Sequence, residues 1–453
     1  MAYFKRIFSG LLLVWINGLP AFSQAPHSSG YLTRDGAWCW FSDPRAIVVK
    51  GKVYTGWVKK DGTIEAASVD LKSGSVETDA LYPELDKDDH ANPAFVAAPG
   101  GKVLALYTKH GSEAVYVHAA VLGAGALDYG EALLVDPHDE GELKKFPRKQ
   151  ITYANPFQLK KENGRIYCFG RWTGFKPNVM WSDDGGASWS KSRVLLTNYP
   201  FDANNRPYVK YASDGKSRIH LAFTDGHPRN EPANSVYYAY YENGAWYRAD
   251  GARITGMDQL PFTPKDASLV YRATEQEGRA WIADVGQDKR GNPVILYTKS
   301  PRETDHRYVY ARFDGATWLH TELCRAGKWF PQTPEGQTER EPHYFGGMSL
   351  HPGNPNVVYV SREIDGVFEI ERMETSDGGN TWKTEPITQH STRDNVRPFV
   401  PRGVKARQPE PVFWMENTKY VHYTDFDTAV RYGIRNAAKE IEGDDRRLRK
   451  NKR

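Results

Sequence analysis

Two six-residue stretches nearly repeat each other, "HANPAF" at 90–95 and "YANPFQ" at 153–158. His90 and Tyr153 hold the same place before Ala-Asn-Pro, about sixty residues apart. Histidine serves as acid or base near neutral pH. A phenol, with an unperturbed pKa of about 10, needs a nearby cation before it can act as a base. Two further residues fit beside them. His110 closes "YTKHG" about twenty residues after His90, and Arg171 sits in "GRW" after Tyr153, next to Trp172. This set suits removal of a carbon-bound proton beside a carboxylate. In a uronate sugar the C5 proton is weakly acidic until the adjacent carboxylate is neutralised, and arginine does that by paired hydrogen bonds. A base then takes the proton, and an acid protonates the leaving glycosidic oxygen. Which of His90 and Tyr153 would be the base is open at this level, and the chemistry requires no metal or cofactor. Hydrolysis would need two carboxylates flanking the bond. Asp88 and Asp89 precede His90, but no second convergent acid stands out.

For these residues to meet, the chain must bring distant segments to one place. One hairpin is written seven times, as strand, Gly-containing turn and strand, at 43–58, 92–111, 155–174, 206–226, 283–300, 346–363 and, more weakly, 397–420. Further strand-like runs lie between the copies. The expected fold is therefore all-β, a seven-bladed β-propeller. A second signal agrees. "SDDGGASW" (182–189) and "TSDGGNTW" (375–382) match the Asp-box hairpin turn, with worn copies at "YENGAW" (241–246) and "RFDGATW" (312–318). The box is structural and assigns no chemistry to Asp184, Trp189 or Trp382. The stretch 427–443 reads as the one plausible helix. In a propeller whose blades begin at the innermost strand, residues just before the first strand and just after the second converge on one rim. That rule gathers His90, His110, Tyr153 and Arg171 with Arg206, Tyr208, Asp225 and His227. Asn92 and Asn155, which begin the inner strands, are candidates for substrate contact, as is Trp172. Each has a plainer reading: Tyr153 as core packing, Arg171 as partner of Asp225, the asparagines as turn chemistry.

The chain has 453 residues, 13% aromatic, with 40 Gly and 28 Pro, a mix that suits many short strands and tight turns. A net charge of +4 on 60 basic and 56 acidic residues gives no electrostatic case for nucleic acid. Residues 1–23 read as an export signal: Lys5 and Arg6, the apolar run 7–16, then small residues before Gln24. No later run is long enough for a spanning helix. A secreted or periplasmic protein follows, with a propeller over 24–435 and a charged tail over 436–453 whose "RRLRKNKR" is a solvated end. Cys39, Cys168 and Cys324 make no disulfide framework. His343 near Cys324 leaves a weak case for a structural metal.

The pattern "DDHANPA", then "YTKHG", "TYANP" and "GRW", resembles the BNR-type seven-bladed propeller polysaccharide lyases, nearest to ulvan lyase families 24 and 25. The resemblance spans most of the chain after residue 23. It implies cleavage at uronic acids linked to rhamnose or sulfated rhamnose, an acidic polysaccharide partner and no membrane. Position by position, it implies His90 and Tyr153 as the acid–base pair, His110 as a second active-site histidine and Arg171 as carboxylate neutraliser. Arg206, Tyr208, His227, Asn92, Asn155 and Trp172 would contact substrate. Some relatives hold a structural zinc, so zinc or calcium at Cys324 and His343 is a further expectation. Rhamnosidases of the same superfamily use the opposite face and a histidine near the first blade. Here "WCWFSDPRA" (38–46) has Ser42 instead. A sialidase or a non-catalytic glycan-binding propeller are the remaining alternatives. "DPRAIV" is a poor copy of the sialidase opening.

Overall fold

The computed structural model describes residues 27–123, 126–327, 347–406 and 409–435. The proposed export signal, the tail 436–453 and His343 lie outside the described residues. Seven antiparallel sheets follow one another along the chain, six of four strands and one of six. Each of the seven sequence hairpins is the first pair of strands of a blade. These pairs are Ala46–Val49 with Lys52–Val58, Ala94–Ala98 with Lys102–Tyr107, Lys149–Leu159 with Arg165–Thr173, and Val209–Ser213 with Arg218–Thr224. Blades 5 to 7 open with Arg279–Gln287 and Pro293–Arg302, Met348–Leu350 and Val357–Ile364, and Asp394–Phe399 and Glu410–His422. The first strands of successive blades touch one another around the ring. The architecture is thus the seven-bladed propeller that the repeats predict.

Closure corrects one expectation. Residues 427–435, the described part of the stretch expected to be helical, lie in the strand Asp425–Arg435. It lies between Glu410–His422 on one side and His27–Thr33, from the other end of the chain, on its other side. A strand bonded along both edges satisfies every ladder group, which outweighs a modest local helix preference. The ring is also pinned by a parallel bridge between Ile47 of blade 1 and Arg402 after blade 7.

The Asp boxes build the outer turns of blades. Asp184 Oδ1 accepts from the Ser188 N–H at 2.9 Å, and Asp377 Oδ1 from the Thr381 N–H at 2.9 Å. Trp382 packs in a T-shaped pair with Tyr310 of blade 5 at 5.1 Å, so the box of one blade seals against the blade before it. At the ring centre, Asp43 bonds Arg45 Nε at 3.0 Å and Lys210 Nζ, and Arg402 Nη2 bonds Asp284 Oδ1 at 2.6 Å. Asp43 belongs to the entry of blade 1 and Lys210 to blade 4, so these buried ions tie together blades that are not neighbours. Among the described residues no helix is long and apolar enough to cross a membrane.

Candidate active site

One cavity of about 490 Å³ opens where loops before the inner strands meet turns after the second strands. His90, His110, Tyr153, Arg171, Arg206, Tyr208 and His227 all line it, together with the segment Cys39–Phe41.

Local structure explains how each side chain arrives. Asp88 caps a short 3-10 turn, Asp89–Ala91, by accepting from the His90 N–H at 2.9 Å. The turn swings His90 off the strand line. His110 leaves the end of Lys102–Tyr107, and its N–H bonds Asp86 Oδ2 at 3.1 Å. The imidazoles stack at 4.2 Å and 13°. Asp88 lies behind both: Oδ1 is 2.6 Å from His90 Nδ1, and Oδ2 is 2.9 Å from His110 Nδ1. Tyr153 reaches the cavity through a break in register between Thr152 and Asn155, with φ of 68°. A bulky residue at positive φ is strained unless its surroundings hold it. Here Trp172 Nε1 donates to the Tyr153 carbonyl at 3.1 Å. Gly170 leaves the room: a Cβ there would meet Trp172 Nε1 at 2.2 Å and Tyr153 O at 2.4 Å.

Three predicted contact residues do not reach the cavity wall. Trp172 is fully buried and holds the Tyr153 peptide. Asn92 Oδ1 accepts from the Cys39 N–H at 3.0 Å, and Asn155 Oδ1 from the Asp43 N–H at 2.8 Å. The asparagines therefore tie the segment entering blade 1 to the inner strands of blades 2 and 3. Asp225 is not Arg171's partner. It accepts from the Ser235 N–H at 2.8 Å and the Tyr237 hydroxyl at 3.0 Å.

Arg171 is 4% exposed, and its Nε and Nη1 have no hydrogen-bond partner among the described residues. Its guanidinium lies 5.0 Å from the Tyr153 ring, 5.2 Å from Tyr208 and 4.5 Å from Phe175. Phe175 also carries Arg148 at 3.8 Å and Arg206 at 5.6 Å. With Arg229, four arginines line the cavity. The one acid lining it among the described residues, Asp89, is engaged by Arg397 Nη1 at 2.6 Å and by the Tyr420 hydroxyl. The wall around Arg171 is therefore a strongly cationic surface suited to an anion.

Titration follows this geometry. Burial pulls the His90 imidazole down, but its neighbours Cys39, Tyr153 and Asp88 outweigh that and raise it well above its ordinary value. Burial and the charge on His90 lower His110. Burial lifts the Tyr153 phenol well above its usual value, Tyr208 adding to the rise and His90 and Arg171 opposing it. At Tyr208 burial also raises, but Arg171 and Arg206 prevail and bring the phenol down to about 8. Burial and the arginines depress His227, whose Nδ1 accepts from the Arg229 N–H at 3.0 Å.

Two acid–histidine groups sit close enough to share an ion, Cys39 with Asp89 and His90, and Asp88 with His90 and His110. Asp88, His90 and His110 already bond one another, and in the other group the Arg397 guanidinium on Asp89 would repel a cation. The set reads as a hydrogen-bonded network. Cys324 belongs to neither group, and burial pushes its thiol up to about 12.

Sequence reasoning missed Trp40, Arg148, Arg229, Trp281 and Tyr423, which also line the cavity. The rim rule applied to every hairpin would have found Trp40, Arg148 and Tyr423, which precede or follow inner hairpins. Tyr423 packs edge-on against His90 at 4.8 Å.

Among solved structures the chain is similar to a polysaccharide lyase, PL25 ulvan lyase, bound to -[GlcA(1-4)Rha3S]-. The TM-score is 0.68 at 13% identity, covering 88% of this chain and 94% of that one. It is also similar to polysaccharide lyase Uly1, with a TM-score of 0.56 at 13% identity, covering 90% and 97%. At such identity the likeness is one of fold. No curated protein matches the sequence. The model of the BNR repeat-containing family matches residues 52–326, the greater part of the propeller, and the chain belongs to that family.

Proposed function

We propose that this chain is a secreted polysaccharide lyase that cuts a rhamnose–uronate glycan of the ulvan type by β-elimination. One observation carries the reading: a buried guanidinium, Arg171, with two unpartnered nitrogens, beside Tyr153 in the cavity that the His90–His110 stack also lines. A buried cation without a carboxylate is costly unless a ligand supplies one. A uronate carboxylate paired with Arg171 would acidify the C5 proton.

Of the two phenols flanking Arg171, Tyr208 is the one that Arg171 and Arg206 bring down, to about 8, while burial keeps Tyr153 protonated. The Tyr208 phenolate takes the C5 proton, and Tyr153 packs against both it and His90, with ring centroids at 6.4 and 5.7 Å. The C4–O bond breaks as the C4–C5 double bond forms. His90, which carries a proton at neutral pH, gives it to the leaving oxygen. These side chains supply every proton the reaction moves, so the reading calls for no metal or cofactor. The cationic wall of Arg148, Arg206 and Arg229 suits an acidic chain extending beyond the cut. Likeness to a lyase bound to a glucuronate–rhamnose glycan supports the same substrate class. Among the described residues the cavity offers the rhamnosidase alternative no pair of free carboxylates, since Asp88 serves two histidines and Asp89 serves Arg397.

The test is ultraviolet absorbance during digestion of ulvan and of a rhamnose-capped glucuronate glycan such as gum arabic. A rise from the conjugated double bond is expected on ulvan. Free rhamnose with a flat trace would establish the hydrolase, and binding with neither product would leave a glycan-binding propeller.

A further inference from the structure

We propose that Asp88 is the positioning residue of the site: one carboxylate, shared by Nδ1 of His90 and Nδ1 of His110, fixes both rings and allows only one of them a positive charge. The inference rests on the elimination reading for its kinetic consequence, but the geometry stands apart from it. Each carboxylate oxygen takes one ring nitrogen, at 2.6 Å for His90 and 2.9 Å for His110. Both Nδ1 atoms therefore carry hydrogen, and each Nε2 is left for the cavity side. Oδ1 also accepts from the His90 N–H at 2.9 Å, which locks the carboxylate's own orientation.

Two imidazolium rings stacked at 4.2 Å would repel strongly at this burial, and a single negative charge compensates one of them. The other charged and titratable groups around the stack do not change that count. Asp86 bonds the His110 backbone N–H, and Asp89 is neutralised by Arg397. Arg171 opposes a charge on His110. Cys39, Tyr153, His422 and Tyr423 complete the surroundings. The proton thus resides on His90, nearer to Asp88 and to Tyr153, while His110 stays neutral.

The experiment compares the wild-type protein with Asp88→Asn, both with ¹⁵N-labelled histidine, using His90→Gln and His110→Gln to assign signals. In the wild type both rings should report hydrogen on Nδ1, with one of the two remaining neutral while the other stays charged through neutral pH. In Asp88→Asn the charged ring should titrate at a lower pH. In turnover, kcat should fall about a hundredfold with KM within about twofold, and the alkaline limb of the pH–rate profile should move to lower pH. A merely structural Asp88 would lower activity without moving that limb. Rings protonated on Nε2 in the wild type, or a titration unchanged in Asp88→Asn, would overturn the inference. The wild-type spectra decide the point even if Asp88→Asn does not fold. They also decide it if no unsaturated product forms, so failure of the lyase reading is told apart from failure of this one.

Discussion

Replacing Arg171 by methionine separates binding chemistry from scaffold. If Arg171 pairs with a uronate carboxylate, the variant loses two charge-assisted hydrogen bonds worth roughly 1.5–3 kcal/mol each. The expected drop in kcat/KM is therefore about 10²–10⁴-fold. Stability should respond quite differently. Arg171 is buried without a carboxylate partner, so methionine relieves a desolvated charge while giving up ring contacts at 4.5–5.2 Å. The two nearly cancel, and unfolding free energy should stay within about 1 kcal/mol of wild type. Arg397 makes the contrast. It is 3% exposed, but it bonds Asp89 and Tyr420. Arg397→Met strands a buried carboxylate and should cost roughly 3–5 kcal/mol. Denaturant unfolding of both variants, with initial rates on ulvan, is the assay. An Arg171→Met protein as destabilised as Arg397→Met, or one that keeps its rate, would refute the argument that Arg171 awaits an anion.

Three further outcomes follow from the geometry. The pH–rate profile should rise through about 8 as Tyr208 ionises, because the base must be deprotonated, and fall at higher pH as His90 loses the proton it must donate. A rising limb near the ordinary phenol value would contradict the role of Arg171 and Arg206. Asp43, which burial raises but Lys210, Arg45 and Arg402 bring down to about 2, stabilises the fold above its unfolded value near 4. About 2 kcal/mol should disappear as pH falls from 4 towards 2, measured by denaturant unfolding across that range, and Asp43→Asn should flatten the dependence. Gly170→Ala drives a methyl into Trp172 and the Tyr153 carbonyl, both held rigidly. It should cost about 1–3 kcal/mol by overpacking and should depress turnover further by displacing Tyr153, which a crystal structure of the variant would display.

The ring of hairpins was legible because each copy is punctuated by a glycine turn between alternating strands, a purely local signal. The rim residues were legible for the same reason, since the ends of a blade's first hairpin lie at one face. Trp172 escaped correct placement because successive residues of a strand point to opposite sides, and Asn92 and Asn155 because local irregularities reset the side they face. Trp172 is one step from Arg171, whereas Asn92 and Asn155, two steps from His90 and Tyr153, are turned into the wall by a 3-10 turn and a break in register, and all three hold backbone groups there. The strand Asp425–Arg435 was misread because what holds it is non-local: one of its partners lies almost four hundred residues earlier. The work of Asp88 was likewise invisible in sequence. Two residues before His90, it stood out only as an acid without a convergent partner, and only the stacking of His110 from the next turn reveals a carboxylate shared between two rings.

The most direct test of the elimination mechanism is mass spectrometry of the fragments formed from ulvan in ¹⁸O-labelled water. Elimination predicts that every cut yields one ordinary reducing end and one unsaturated uronate, with no label bound during cleavage. Fragments that each gain the mass of labelled water at the cut, with no unsaturated end, would contradict the account and hand the site to hydrolysis.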